Sequence, residues 1–270
     1  YICTQFKTEF MTKALFFDID GTLVSFTNHK IPESAIYGLT LAKENGADIY
    51  IATGRPYGLI NNIEEIKHLV DGYITANGAY CFSGKQVISC CPIPMDQVTS
   101  VIEQSDKMGF ACMIVGEQDI MMYNNNPVAD HIFKDMLNVQ DLQESTSLQT
   151  ILGQRILQLT PVVTPKEEQA ILPLLSNVIS SRWCPEFIDI TAKGVDKAKG
   201  MKDMIAWQGI PLSQTVAFGD GGNDLPMIRE AKIGVVMGNA SQTVKAAADH
   251  VTNTVDDDGL YQALKYLKVI

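Results

Sequence analysis

The chain has 270 residues, 46% of them hydrophobic and 19% charged. That composition excludes a disordered, collagen-like or coiled-coil chain and allows one large or two ordinary domains. A formal net charge of -10 argues against nucleic acid and anionic membrane surfaces as partners. No run nears the roughly 20 apolar residues of a membrane span.

The first ten residues, YICTQFKTEF, lack a basic head and a long apolar core. They read as a leader or tag-like segment before Met11 rather than a signal peptide. Six cysteines, at 3, 81, 90, 91, 112 and 184, form no CxxC motif. They are expected as reduced thiols in a cytoplasm, with the adjacent Cys90 and Cys91 half-buried on a strand.

Five short apolar runs each end in a small or polar cluster: Ala14 to Ile19, Asp48 to Ala52, Tyr73 to Ala76, Thr215 to Phe218 and Ile233 to Met237. Runs that are apolar on both faces predict buried parallel strands. Helical patterns alternate with them. Pro32 to Asn45 puts Ala35, Ile36, Leu39 and Ala42 on one stripe, and Gly46 can end it. A helix start at Pro56 leads into Leu59, Ile60 and Ile63. Lys199 to Trp207 and Asp224 to Ala231 continue the alternation. The expected fold is α/β, a Rossmann-like doubly wound parallel sheet.

The middle of the chain breaks this rhythm. Helices are expected at Asp96 to Lys107, Val128 to Leu137 and Pro165 to Leu175. Strands are expected at Ala111 to Val115, Ile120 to Tyr123, Ile156 to Thr160 and Phe187 to Ile190. This pattern predicts a separate α+β unit inserted in the first domain.

Four polar clusters fall at the ends of the first-domain elements. Asp18 and Asp20 in DIDGTL are two apart on an extended chain, so they project to one side. Such a pair needs a divalent cation or a shared proton, unless it is ordinary Asp-Gly turn chemistry. Thr53-Gly54-Arg55 offers a hydroxyl, a close backbone approach and a helix start, the usual phosphate-receiving arrangement, or a plain cap. Lys197 and Lys199 sit before a helix, where a lysine opposes the macrodipole. GDGGND ends a strand at Asp220 and starts a helix at Asp224, and both acids can meet Asp18 on one cation. Ligands that are all oxygen point to Mg²⁺ rather than a soft metal. In a parallel sheet, strand carboxyl ends meet on one edge, and all four clusters lie there.

This constellation resembles the haloacid dehalogenase-like (HAD) superfamily. DIDGTL, TGR, the loop lysine and GDGGND correspond to its four motifs in order, and the insert is similar to its C2 (C2B) cap. ITANGA at 74 to 79, TAKGVDKAKG at 191 to 200 and KIGVVMGNA at 232 to 240 resemble the Cof-type sugar-phosphate phosphatases. The resemblance implies a catalytic core at 11–82 and 190–270 and a cap at 83–189. It implies Asp18 as nucleophile, forming an aspartyl-phosphate, and Asp20 as general acid and base. Thr53 and Lys197 would hold phosphoryl oxygens. Gly54, Arg55, Asn77 and Asn223 would bind phosphate or substrate. Asp18, the Asp20 carbonyl, Asp220 and Asp224 would hold Mg²⁺.

The implied activity is hydrolysis of small phosphorylated metabolites, hexose phosphates first. The implied partner is that substrate alone, with no nucleic acid or membrane, and oligomeric state stays open, a monomer included. A phosphomutase on the same scaffold is the nearest alternative. A phospho-aspartate signalling receiver or binding protein fits less well, because receivers lack the insert and the GDGGND loop. Arg182 and Trp183, near the end of the insert, are further candidates for contact with a sugar. Asp256-Asp257-Asp258-Gly259 reads as a solvated turn capping the last helix, with an extra metal loop as the alternative.

Overall fold

The computed structural model describes residues 12–137 and 147–270. The expected leader at 1–10 lies outside them, as does the side chain of Trp183. The strands, in chain order, are β1 (Ala14–Phe17), β2 (Asp48–Ala52), β3 (Gly72–Thr75), β4 (Tyr80–Ser83), β5 (Gln86–Cys90), β6 (Cys112–Gly116), β7 (Ile120–Tyr123), β8 (Ile156–Pro161), β9 (Val178–Cys184), β10 (Phe187–Ala192), β11 (Thr215–Gly219), β12 (Ile233–Val236) and β13 (His250–Val251).

They form an eight-stranded sheet ordered β13-β12-β11-β1-β2-β3-β4-β5 and a five-stranded sheet ordered β7-β6-β8-β10-β9. The first is parallel from β13 to β3. Its central strands are apolar on both faces because helices cover both. Leu15, Phe17, Ile49 and Ile51 pack with Leu39, Leu260 and Leu264 of helices Glu33–Glu44 and Gly259–Tyr266. Ala14, Phe16, Tyr50 and Ala52 pack with Met201, Met204 and Ile205 of helix Lys197–Gln208. The core is therefore doubly wound, as its apolar runs predict.

Three predicted helices take other forms. No α-helix follows Pro56; two 3-10 turns, Tyr57–Leu59 and Glu64–Leu69, take its place. Pro56 and Ile60 are both extended, and Gly58, Asn61 and Asn62 are weak helix formers. The segment at Val128 to Leu137 starts as helix Pro127–Asp130 and continues as a π-helical turn, His131–Met136. The helix from Pro165 ends at Ile171, and a 3-10 turn containing Pro173 follows.

The strand expected at Cys90 and Cys91 is β5, which ends at Cys90, while β4, β9 and β13 have no counterpart among the predicted elements. β4 and β5 pair antiparallel to β3, so the first sheet continues past residue 82. β10 likewise carries the second sheet past residue 189. β5 and β9 are edge strands with mixed, partly exposed side chains, which carry little hydrophobic alternation.

The second sheet is antiparallel and has two apolar faces. One face packs Ile114, Leu159 and Ile190 under helices Met95–Met108 and Pro165–Ile171. The other packs Met113, Leu157 and Phe187 against Leu59, Ala76 and Ala79 of the first domain. That contact seats the second sheet over the carboxyl ends of β2 and β3. β1, β2 and β11 are immediate neighbours in parallel register, with Phe17 beside Ile51 and Phe218. The residues that follow them, Asp18, Thr53 and Asp220, therefore leave the sheet side by side.

One glycine fixes how closely the loops pack. Gly78, at φ +97, lies so near the Asp196 carbonyl that an added Cβ would overlap its oxygen. Gly84, at φ +54, faces open space. Gly78→Ala should cost about 2–4 kcal/mol, from backbone strain and a clash that must be relieved. Gly84→Ala should cost about 1 kcal/mol, the left-handed penalty alone. Urea unfolding of the two variants checks the ranking.

Candidate active site

A cavity of about 440 Å³ opens at this edge, lined by Asp18, Asp20, Thr53, Gly54, Arg55, Asp220 and Asn223 among others. One of its lining residues, Asp18, is bonded to a buried lysine. Lys197 is the first residue of helix Lys197–Gln208 and is fully buried. Asp196 caps that helix, its Oδ1 accepting the Lys199 N–H at 2.8 Å. Lys197 Nζ donates to Asp18 Oδ1 and to Asp224 Oδ1, each at 2.6 Å. These bonds answer the unfavourable position of an ammonium at a helix N-terminus. Lys199, the other candidate, turns away and pairs with Asp203.

Asp224 is buried and fully engaged. Its Oδ2 accepts the N–H groups of Asp220 and Gly221 at 3.0 and 2.9 Å, so it folds the Gly-rich loop back on itself. Gly219 leaves room for that carboxyl, because an added Cβ would lie against it. Asp220 accepts from Thr22 Oγ1 at 3.1 Å and lies 3.3 Å from Asn239 Nδ2. Asn239 also donates to the Gly21 carbonyl at 2.9 Å, which ties the first and fourth loops together. Neither Thr22 nor Asn239 was assigned a role from the sequence, although both lie inside quoted motifs. Only the convergence of distant loops gives them one.

Arg55 holds Asp20. Nε donates to Oδ2 at 2.7 Å and Nη2 to Oδ1 at 2.9 Å, a two-pronged pair. Arg55 also reaches the carbonyls of Leu59 and, from the second domain, Leu137. Thr53 is buried, and its Oγ1 accepts the Arg55 N–H at 3.0 Å, which leaves the hydroxyl hydrogen to donate.

Asn77 and Asn223 behave differently from the sequence expectation. Asn223 lines the cavity, and its Nδ2 donates to Asn77 Oδ1 at 3.1 Å. Asn77 is buried and lies behind the cavity wall, with its Nδ2 donated to Asp189 Oδ2 at 2.9 Å. Its amide thus faces the seam between the domains rather than the cavity. Arg182 does line the cavity, but its donors go to Glu168, Val163 and Pro185. The three acids at 256 to 258 accept separately from Thr27, Thr254 and Ser34 and do not converge.

The charges are unbalanced. Asp18, Asp220 and Asp224 each offer a carboxylate oxygen within 4.8 Å of the other two. Burial raises the Asp18 pKa well above the carboxylate range, Lys197 opposes that, and the neighbouring acids add to it. Burial and then Asp224 push Asp220 up to about 7. Burial pulls Lys197 down, but Asp18 and Asp224 outweigh it and hold the ammonium above its ordinary value. One buried cation does not neutralise three acids. All-oxygen donors with surplus negative charge fit a hard divalent cation.

A family model described as haloacid dehalogenase-like hydrolase matches residues 15–264. The chain belongs to that family. This haloacid dehalogenase-like hydrolase is 32% identical over 264 residues to YkrA of Bacillus subtilis (strain 168), covering 96% of this chain and 99% of that one. It is 28% identical over 265 residues to the 5-amino-6-(5-phospho-D-ribitylamino)uracil phosphatase YitU of Bacillus subtilis (strain 168), covering 92% and 94%. Its fold matches the solved HAD subclass IIB sugar phosphatase BT4131 with a TM-score of 0.91 at 46% identity, over 96% of this chain and 100% of that one. Among the described residues, no helix is long and apolar enough to cross a membrane.

The raised carboxyls set the metal-free pH response. Asp220 binds a proton in the folded state up to about pH 7, whereas an unfolded aspartate releases it near its ordinary value. The folded state then holds more protons across that interval, so stability falls as pH rises. In chelator, Tm should drop between pH 5 and 8 by several degrees, on the order of 1–2 kcal/mol. A saturating divalent cation should restore it most at the alkaline end. Scanning fluorimetry at four pH values, with and without cation, checks both signs.

Proposed function

We propose that this hydrolase is a Mg²⁺-dependent phosphatase of small phosphorylated metabolites, hexose phosphates favoured, working through an aspartyl-phosphate. The observation that carries the reading is the Asp18–Lys197–Asp224 cluster, whose Asp18 lines the cavity. It offers a nucleophile, a fixed positive charge and a cation site at one point. A sugar phosphatase and a phosphorylated ribityl compound's phosphatase among its relatives support the substrate class.

Asp18 Oδ2 attacks phosphorus while Lys197 holds Oδ1, which orients the carboxylate and disperses its charge. Asp20 takes up a proton from solvent as one Arg55 bond is released, gives it to the leaving oxygen, and then takes one from the water that cleaves the acyl-phosphate. Arg55 sets where that carboxyl stands, and releasing one of its two bonds lets Asp20 turn to the leaving group. The Thr53 hydroxyl, the Gly54 N–H and Lys197 receive the equatorial oxygens. Asp18, Asp220, Asp224 and the Asp20 carbonyl are the Mg²⁺-binding set. When bound, the cation supplies the positive charge that lets a dianion approach these acids. Asp224 keeps both oxygens in the loop and on Lys197, so Asp220 offers the freer carboxylate of the fourth motif.

The second sheet is the cap. This reading takes the cap from within 83–189 and the core from 11–82 and 190–270, while the pairing of β5 puts residues 86–90 with the core sheet. The five described cysteines are free thiols, which supports the cytoplasm as the compartment.

Two variants and one omission test the reading. Asp18→Asn should abolish turnover without unfolding the protein, and retention of more than a few per cent of the rate rejects Asp18 as nucleophile. Asp20→Ala should lower turnover roughly 10²–10⁴-fold, less for an aryl than for an alkyl phosphate. Equal losses on the two would exclude the acid role. Activity should vanish in chelator and return with Mg²⁺, with Ca²⁺ a poor substitute because it accepts looser coordination. Free phosphate as product, rather than an isomeric sugar phosphate, separates the phosphatase from a mutase.

A further inference from the structure

A carboxylate of the second domain is wired to the catalytic loops. Asp189 lies on β10, only 3% exposed. Its Oδ1 accepts from Gln158 Nε2 at 3.0 Å and Thr160 Oγ1 at 2.8 Å, both on β8 beside it. Its Oδ2 faces the first domain and accepts from Asn77 Nδ2 at 2.9 Å. Asn77 then accepts from Asn223 at 3.1 Å, and Asn223 sits between Asp220 and Asp224. The chain Asp189, Asn77, Asn223 therefore joins the cap sheet to the loop that carries two of the site's acids.

The polarity of this chain is one-way. Both Asp189 oxygens accept, and the Asn77 amide stands with nitrogen toward β10 and oxygen toward Asn223. That oxygen in turn fixes Asn223 with its nitrogen outward and its Oδ1 on the Gly221 side of the loop. If Asn77 turned over, two NH₂ groups would meet and the link would break. The seat is rigid as well: Asn77 stands in the left-handed region at φ 52, where asparagine is tolerated. Gly54 fits against the junction so closely that an added Cβ would lie 3.2 Å from the Asn77 amide and 3.3 Å from Asp189 Oδ2.

We infer that Asp189 is a positioning residue for the phosphoryl-transfer site, acting through Asn77 and Asn223 to hold the Gly221–Asp224 loop in shape when the cap is seated. The inference rests on the phosphatase reading for its kinetic consequence, but its structural consequence stands without it. Asp189 thus differs from a cap residue that only contacts the leaving group. Such a residue would alter the ranking of substrates and spare a small aryl phosphate. A positioning residue lowers the rate on every substrate.

The test uses the full chain and three variants. Asp189→Ala removes the acceptor, and Asp189→Asn keeps the volume but leaves one oxygen for two sides. The exchanged pair Asp189→Asn with Asn77→Asp restores the donor–acceptor matches to Asn223, Gln158 and Thr160 and loses the 3.3 Å bond from Asn77 to Gln158. Hydrogen exchange is read at the Asp220 and Gly221 amides, which donate to Asp224. Both single variants should speed exchange there, by about tenfold for Asp189→Ala, and the exchanged pair should restore protection. In parallel, kcat on an aryl phosphate and on a hexose phosphate should fall together, by about tenfold, with KM changed less than about twofold.

Faster exchange confined to residues 156–161 and 187–192, or no recovery in the exchanged pair, overturns the inference. A loss on the hexose phosphate alone overturns it too. If Asp189→Ala does not fold, Asp189→Asn and the exchanged pair carry the same comparison. A wild-type protein without phosphatase activity sinks the functional reading, whereas the exchange data still decide the role of Asp189.

Discussion

Lys197 is an ammonium with no solvent exposure, and the folded site depends on it. A buried charge without partners is untenable, so two carboxylates must reach it. Asp18 and Asp224 do so from loops 179 and 27 residues away in sequence. Each in turn is fixed by its own surroundings. Asp224 grips the Asp220 and Gly221 amides, and Asp18 is held at the end of a strand whose four residues are all buried. The lysine thus draws three separate chain segments to one point, and removing it would leave buried acids with no cation.

The same arrangement explains why the fold and the chemistry belong together. A parallel sheet brings strand carboxyl ends to one edge, and the adjacency of β11, β1 and β2 makes three of those ends neighbours. Three acids gathered there exceed the charge that Lys197 supplies, and Asp18 and Asp220 are raised by burial first and by their acidic neighbours second. Under the proposed function, a divalent cation would offset that excess and a phosphoryl group would complete the balance. The second sheet closes over this edge through an apolar face, with one polar chain, Asp189 to Asn223, crossing the seam.

The fold was legible where residues report their surroundings locally. Ala14 to Phe17 carries no polar atom in its side chains, which requires cover on both faces. The acid spacing in DIDGTL and GDGGND was equally plain. What escaped the sequence depends on distant partners. Asn77 reads as a strand-end residue near substrate because nothing nearby says that Asp189 will meet it from 112 residues away. Asn239 has no local signal and gains meaning only from Gly21 and Asp220. Edge strands β5 and β9 lack alternation because consecutive residues on both of their faces are only partly covered. The segment after Pro56 shows helical spacing, but Gly58 and the two asparagines at 61 and 62 favour turns, and Arg55 is pulled to Asp20.

The central claim is that Asp18, steadied by Lys197, receives the phosphoryl group. Rapid acid quench during turnover of an aryl phosphate, followed by reduction with tritiated borohydride and peptide mapping, tests it directly. An acyl-phosphate at Asp18 should be reduced there and nowhere else, only with Mg²⁺ present and not in Asp18→Asn. Steady phosphate release with no label on Asp18, or label on another residue, would contradict the account.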